Sequence, residues 1–444
     1  MIIEQIYDKA LAHGSYVIES EGKVALVDPG RDPQPYIDFA EKHNAEIVAV
    51  FETHPHADFA SSHLEFQKRY GAKIYINPKV GVSYEYEPLE HNDTVQIGAS
   101  IIKALFTPGH SPDHNSYLVY DESGNEKAVF TGDALFVGDV GRPDLREGAG
   151  NIQVSKEELA EMMYDTVNNV FKEIEENVTV YPAHGAGSLC GKNMSDDLYS
   201  SIGREKKENW AFQIAGKEEF VKSYLEGQSF IPKYFPYEVE LNRKGAAELT
   251  ESVDQVNISD EVPDRNKVII DVRDQETFKK GHYAGAINIQ KASDTSKFET
   301  WLGSIVGPDE QYYLVGSDES EVKSAIHRTA KIGYEINIIE GLIANGSAEK
   351  TSDQFDLDHF KQHPEEYTIV DIRNESEVAD GKFFDSAINI PLPELRERAS
   401  EVPTDKPVMV HCAGGYRSAA GASILAASIE KPVYDLSEAV NDFK

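Results

Sequence analysis

Four short polar turns constrain this chain more than any other feature, each following an apolar segment and each carrying histidine or aspartate. The apolar run Ile47-Val-Ala-Val-Phe51 leads into Thr53-His54-Pro55-His56-Ala57-Asp58. Downstream come Thr107-Pro108-Gly109-His110, then Thr131-Gly132-Asp133 after another apolar run, then Tyr181-Pro182-Ala183-His184-Gly185. A lone histidine is usually a surface or satisfied core residue. Imidazoles and carboxylates gathered in turns at strand ends are suited to hold a metal, and α/β scaffolds place their chemistry in such turns. Around them, residues 1 to about 235 read as alternating strands and helices. Ser15-Tyr-Val-Ile-Glu19 and Val24-Ala-Leu-Val27 flank Glu21-Gly22 as a hairpin, and Pro35 to His43 reads as a helix. Ser155 and Glu158 form a capping box that opens a helical period running to Ile174.

The motif set resembles the metallo-β-lactamase superfamily over residues 1–235. That resemblance implies an αββα sandwich with metal between the inner edges of its sheets. Dinuclear hydrolases of the superfamily usually place a further histidine after the aspartate of the first turn. Phe59 stands there and cannot bind a metal. The set left intact is His54, His110 and Asp133, two imidazoles and a carboxylate, which is the ligand set of mononuclear non-haem Fe(II) oxygenases. The likeness is then to the persulfide dioxygenases of the superfamily. It implies Fe(II) as cofactor and His56, Asp58 and His184 as hydrogen-bond partners of the ligands. Gly138-Asp139-Val140-Gly141-Arg142-Pro143-Asp144 resembles a segment whose arginine lines the thiol-persulfide pocket, so Arg142 is expected there. An ion pair with Asp139 or Asp144 is the competing reading. Residues 183–191 resemble the version found in dioxygenases fused to rhodanese modules. Cys190 is then either a persulfide-handling thiol near the iron or a small buried hydrophobe. His63 and His114 receive no role.

Past Ile231-Pro-Lys-Tyr-Phe-Pro236 the composition turns polar, and 236–250 reads as a linker. An internal repeat follows. Asp271-Val-Arg273, Gly281 and Ala286-Ile-Asn-Ile289 recur as Asp371-Ile-Arg373, Gly381 and Ala387-Ile-Asn-Ile390. Two copies of one α/β unit, at 251–350 and 355–444, account for the matching offsets. In the second copy Val408-Met-Val-His411 enters Cys412-Ala413-Gly414-Gly415-Tyr416-Arg417 and a helix of small residues. A cysteine before a helix N-terminus is stabilised as thiolate or persulfide. Gly414 and Gly415 permit the backbone angles of a cradle around it, and Arg417 supplies charge for an anionic sulfur donor or acceptor. The loop resembles the rhodanese active loop, Cys-x-Gly-Gly-x-Arg, which implies that Cys412 is the catalytic residue. In the first copy the same place holds Leu314-Val-Gly316-Ser-Asp318-Glu-Ser-Glu321. With no thiol and an acidic lining that repels anions, that copy is expected to be inactive.

The fold class expected is therefore an αββα metallo-β-lactamase sandwich followed by two rhodanese-like α/β domains. The order of domains resembles the bacterial persulfide dioxygenase–sulfurtransferases of sulfide detoxification. That likeness implies oxidation of a small-thiol persulfide by O₂ to sulfite, with Cys412 giving thiosulfate. The thiol is left open among coenzyme A, glutathione, bacillithiol and cysteine, and a homodimer or tetramer is implied. Two rival readings are a two-metal thioester hydrolase like glyoxalase II and a non-catalytic persulfide carrier or sensor. Composition narrows the setting. With 77 acidic against 43 basic side chains, the net charge of −34 disfavours nucleic acid and anionic lipid as partners. No apolar run approaches the roughly 20 residues that span a bilayer. The two cysteines, far apart in sequence, read as free thiols of a cytoplasmic protein.

Overall fold

Period-two alternation sends successive side chains of a strand to opposite faces, and this chain uses both faces of its first two sheets. The computed structural model describes residues 1–444 apart from 147–149, 151, 345 and 347. β1 (Ile2–Asp8), β2 (His13–Ser20), β3 (Lys23–Val27), β4 (Glu46–Phe51), β5 (Lys73–Ile76) and β6 (Glu87–Pro88) form one sheet in that order. β7 (Thr94–Ile97), β8 (Ser100–Phe106), β9 (Asn115–Tyr120), β10 (Glu126–Gly132), β11 (Thr179–Pro182) and β12 (Ser200–Ser201) form the second. Tyr16, Ile18, Ala25, Val27, Ala49 and Phe51 of the first sheet meet Ile102, Ala104, Tyr117, Val119, Ala128 and Phe130 of the second in one apolar layer. The residues between them point outward. Val17, Val24, Leu26 and Val50 pack on Tyr36, Ile37 and Phe39 of the helix Gln34–Lys42. Leu118, Val129 and Val180 pack on Met163 and Val167 of the helix Lys156–Asn169. The expected αββα layering is the result.

Local signals explain several boundaries. The β2–β3 turn takes Glu21 and Gly22 at φ 52° and 74°, the doubly left-handed geometry that tight hairpins favour. The Ser155–Glu158 capping box opens the helix Lys156–Asn169 as expected, and a separate 3₁₀ turn at Phe171–Glu173 finishes the period. The segment 236–250 is not a linker. It contains most of the helix Phe235–Lys244, which buries Phe235, Glu238, Val239 and Asn242. Its polar composition hid an apolar pair at i, i+4, and Pro236 in the first turn is compatible with helix initiation.

The chain divides into two compact units, Met1–Glu251 with Lys331–Gly333, and Ser252–Ala330 with Tyr334–Lys444. The second unit holds both copies of the repeat. β13 (Ile258–Ser259), β14 (Val268–Asp271), β15 (Ile287–Asn288), β16 (Tyr312–Gly316) and β17 (Ile338–Ile343) form a parallel sheet ordered β13-β17-β16-β14-β15. β18 (Thr368–Asp371), β19 (Ile388–Asn389), β20 (Val408–His411) and β21 (Val433–Asp435) form another, ordered β19-β18-β20-β21. The repeated residues make the same bonds in each copy. Arg273 pairs with Asp271 and donates to the Gly281 carbonyl, while Arg373 pairs with Asp371 and donates to the Gly381 carbonyl. Asn288 bridges the carbonyls of Asp271 and Arg273 as Asn389 bridges those of Asp371 and Arg373. The spacing visible in the sequence is thus the spacing of one hydrogen-bonded frame.

Candidate functional site

His54, His110 and Asp133 are each 1% exposed and converge, with one donor atom of each within 4.8 Å of the others. Nε2 of His110 lies 3.6 Å from Oδ2 of Asp133, and Nε2 of His54 lies 4.0 Å from it. Each ring is held from behind. Nδ1 of His110 donates to the carbonyl of Arg142 at 2.8 Å. Thr53 Oγ1 already donates to Asp28, so Nδ1 of His54 donates to that hydroxyl at 3.0 Å. Anchoring Nδ1–H leaves Nε2 as a lone-pair donor facing the centre, the arrangement that ligating histidines need. Burial pushes both imidazoles down from the usual histidine range, so they sit neutral. Among the described residues, Nε2 of His54 and both oxygens of Asp133 are buried without a hydrogen-bond partner. Such atoms are costly unless a cation sits among them, and the donor set fits a divalent metal.

His56, Asp58 and His184 lie around this set. Nε2 of His184 is 3.3 Å from Asp58 and 3.6 Å from Asp133, and Nε2 of His56 is 3.2 Å from Asp28. Burial opposes a charge on His184, but Asp58 and Asp133 push it up to about 9. His56, Asp133 and His184 also converge within 4.8 Å, so the same residues form a second donor set. Phe59 occupies the position where dinuclear relatives place a histidine. It is 1% exposed and stacks on His13, with ring centres 3.7 Å apart.

Arg142 does not stand free in a pocket. Its guanidinium is 1% exposed, holds Asp144 through two bonds of 2.7 and 2.6 Å, and donates to the carbonyls of Leu189, Ser229 and Phe230. Those five bonds match the five N–H groups of an arginine, so none remains for a substrate carboxylate. The ion-pair reading of Arg142 is the one its contacts support. Its backbone contributes instead, through the carbonyl under His110 and an N–H bonded to the carbonyl of Cys190. Cys190 is 1% exposed, and its sulfur lies within 4.8 Å of donor atoms of Asp58 and His184. Burial, followed by the Asp58 and Asp133 charges, pushes its thiol up, so it is a neutral thiol.

Several supporting residues carried no sequence signal. His114 accepts from the backbone N–H of Asp133 at 3.2 Å and bonds Thr107 through its other nitrogen, fixing the loop that carries Asp133. Asn242 donates to the carbonyls of His56 and Phe59 and accepts from the N–H of Ser61, which staples the first turn from the helix Phe235–Lys244. Gly132 sits at φ 50°, and a Cβ there would come within 2.6 Å of His114 and 2.5 Å of Thr53. The sequence shows these residues, but only folding shows that they meet.

In the second unit Cys412 follows directly on β20, is 1% exposed, and accepts the N–H of Gly415 on its sulfur at 3.1 Å. The helix Tyr416–Ser428 starts immediately behind, so its positive end faces the thiol. Gly415 sits at φ 98°, and a Cβ there would press on Glu438 N at 2.7 Å, so glycine is required. Gly414 has neither a left-handed φ nor anything within 4 Å of a Cβ, so no such requirement applies to it. Arg417 is not a free charge. It forms a two-point pair with Glu377 at 2.6 and 2.7 Å, and its guanidinium carbon lies 5.5 Å from the ring centre of Trp301. In the first copy Ser317 N–H bonds Glu321 and Glu321 N–H bonds Asp318. The acidic residues there cap their own helix.

Known proteins give the same picture. Residues 9–172 match the metallo-beta-lactamase superfamily, and 254–345 and 356–444 each match the rhodanese-like domain. A probable polyketide biosynthesis zinc-dependent hydrolase, PksB of Bacillus subtilis (strain 168), is 30% identical over 214 residues, 47% of this chain and 84% of that protein. A cytoplasmic hydroxyacylglutathione hydrolase of Arabidopsis thaliana is 35% identical over 174 residues, 38% of this chain and 62% of its own length. A solved metallo-beta-lactamase from Staphylococcus aureus subsp. aureus COL superposes with a TM-score of 0.68 at 29% identity, covering 77% of this chain and 98% of its own. The chain belongs to the metallo-beta-lactamase superfamily, with two rhodanese-like domains behind the superfamily domain.

Proposed function

We propose that this protein oxidises a small-thiol persulfide at a single Fe(II) held by His54, His110 and Asp133, and that Cys412 passes sulfane sulfur to the sulfite formed. One observation carries the reading: a buried two-histidine, one-carboxylate set with partnerless donor atoms, beside a phenylalanine stacked where a second metal's ligand is expected. Fe(II) bound by such a set supplies the redox chemistry by which O₂ reacts at sulfur. The chain's own part is to hold the ligands. Thr53 and the Arg142 carbonyl orient the two imidazoles, and His114 fixes the backbone of Asp133. The overall reaction is RSSH + O₂ + H₂O → RSH + SO₃²⁻ + 2H⁺. In the second unit, RSS⁻ and the Cys412 thiolate give RS⁻ and a Cys412 persulfide, and attack by SO₃²⁻ on its outer sulfur gives S₂O₃²⁻ and the thiolate again. The glycine-lined turn and the helix end stabilise that persulfide. Two free, buried cysteines fit a reducing compartment such as the cytoplasm.

The test is O₂ consumption by Fe(II)-loaded protein on addition of glutathione, coenzyme A, bacillithiol or cysteine persulfide. Rapid uptake with sulfite formation is expected, with loss on His110→Ala. Absence of uptake with every thiol, iron being present, would overturn the reading. A two-metal thioester hydrolase is the second reading, favoured by the convergence of His56, Asp133 and His184. It requires two metal ions per chain and hydrolysis of a glutathione thioester, where the first requires one ion and none.

A further inference from the structure

Arg417 is the only basic side chain in the loop Cys412–Arg417, and its charge interacts with that of Cys412. A free guanidinium fork binds oxyanions at two points. Here the fork is taken. Glu377 holds both terminal nitrogens at 2.6 and 2.7 Å, and the carboxylate is itself fixed by the N–H of Asn374 at 3.1 Å. The pair is well sheltered, with the arginine side chain 13% and the glutamate 33% exposed, and Trp301 covers the guanidinium. The neighbouring basic group is no substitute, because Arg373 is bound to Asp371 and to the Gly381 carbonyl. The loop therefore presents sulfur donors with backbone N–H groups and a neutralised ion pair.

We propose that Glu377 is a specificity-determining residue that tunes the Cys412 loop toward singly charged persulfides and against the dianion thiosulfate as sulfur donor. The inference rests on the reading of Cys412 as a sulfur acceptor. Both donors deliver the same group. RSS⁻ and Cys412–S⁻ give RS⁻ and Cys412–S–S⁻, while S₂O₃²⁻ and Cys412–S⁻ give SO₃²⁻ and Cys412–S–S⁻. They differ in the charge brought beside the pair. A dianion gains twice as much as a monoanion from an uncompensated arginine, so it loses twice as much when a carboxylate cancels that charge. Gln at 377 keeps the shape and the capping role of the side chain while removing its charge.

The experiment uses the full chain in single turnover, with thiosulfate or 2-hydroxyethyl persulfide as donor and peptide-level mass spectrometry reading sulfur added to Cys412. Glu377→Gln is expected to raise the thiosulfate-to-persulfide rate ratio by about fivefold to tenfold. Added salt is expected to erode that gain, since screening weakens an uncompensated charge. In an Arg417→Gln background the gain is expected to disappear, which a merely structural role for Glu377 does not predict. An unchanged or falling ratio, or a gain that persists without Arg417, overturns the assignment. Failure of wild type to load Cys412 from either donor overturns the sulfur-acceptor reading and this inference with it.

Discussion

Gly141 shows how little room the metal-binding loops leave. A Cβ there would lie 1.9 Å from the Asp133 carbonyl oxygen and 3.0 Å from Nδ1 of His110. Gly141→Ala therefore strikes the backbone of Asp133 and the anchored nitrogen of His110. It is expected to cost about 3 kcal/mol of stability and to lower metal content, checked by denaturant unfolding and metal analysis. Glu377 gives a prediction in pH. Burial alone would raise it, but its bonds to Arg417 hold it below the usual value of 4.5. A carboxylate held low in the folded state stabilises fully above its unfolded value and loses that contribution as pH falls through the lowered one. Melting temperatures of wild type and Glu377→Gln are expected to differ most at neutral pH and to converge in acid below 4.5. At this scale His54, His110 and Asp133, singled out in the sequence, do meet, whereas Arg142 is engaged by Asp144 and three carbonyls and not free for a substrate. A guanidinium beside Asp144 reads the same on paper whether it faces substrate or three carbonyls contributed by residues 47 to 88 positions away.

At the scale of elements, strands and turns were the legible part. Short apolar runs and the Glu21-Gly22 turn specified β2, β3, β4 and β10, and the Ser155–Glu158 box specified a helix start, because those signals are local. Residues 236–250 read as a linker in the sequence although they hold most of the helix Phe235–Lys244, because that helix's role depends on distant partners. Asn242 reaches the turn containing His56 and Phe59 across more than 180 positions of sequence. Asn242→Ala is expected to leave the fold intact but to weaken metal binding by about 10- to 100-fold, as loss of ligand-supporting contacts does, measured by chelator competition. Restoration by Asn242→Gln would argue against the stapling role, since a longer amide cannot make the same three bonds.

For the molecule as a whole, the repeat is more than a duplication. Within the second unit Tyr416 donates to the Gln290 carbonyl at 2.7 Å, Asn288 N–H bonds Ser423 at 3.0 Å, and Arg396 pairs with Glu310 at 2.8 and 2.7 Å. The first two bonds tie the helix behind Cys412 to the copy that has no cysteine, and the ion pair ties the helix Leu395–Arg398 to that same copy. The cysteine-free copy thus serves as a scaffold for the other's active loop. Residues 356–444 produced alone are expected to melt at a lower temperature than 252–444, and 252–444 in one transition, as read by calorimetry. Equal melting temperatures would show that the first copy contributes nothing to the second.

The sequence by itself determined the two-copy frame and the identity of the histidines, aspartate and cysteine that gather, and through its family resemblance the layered fold class. Periodicity, capping and turn spacing are short-range, and the repeated Asp-x-Arg frame closes within about twenty residues of itself. Only the tertiary structure decided what those residues have for neighbours: His114 beneath Asp133, Asn242 behind His56, four partners around Arg142, and Glu377 across the fork of Arg417. The physical reason is range. A ligand's identity is written in one residue, but its orientation and charge are set by groups that chain connectivity leaves far away and only packing brings within 3 Å or so.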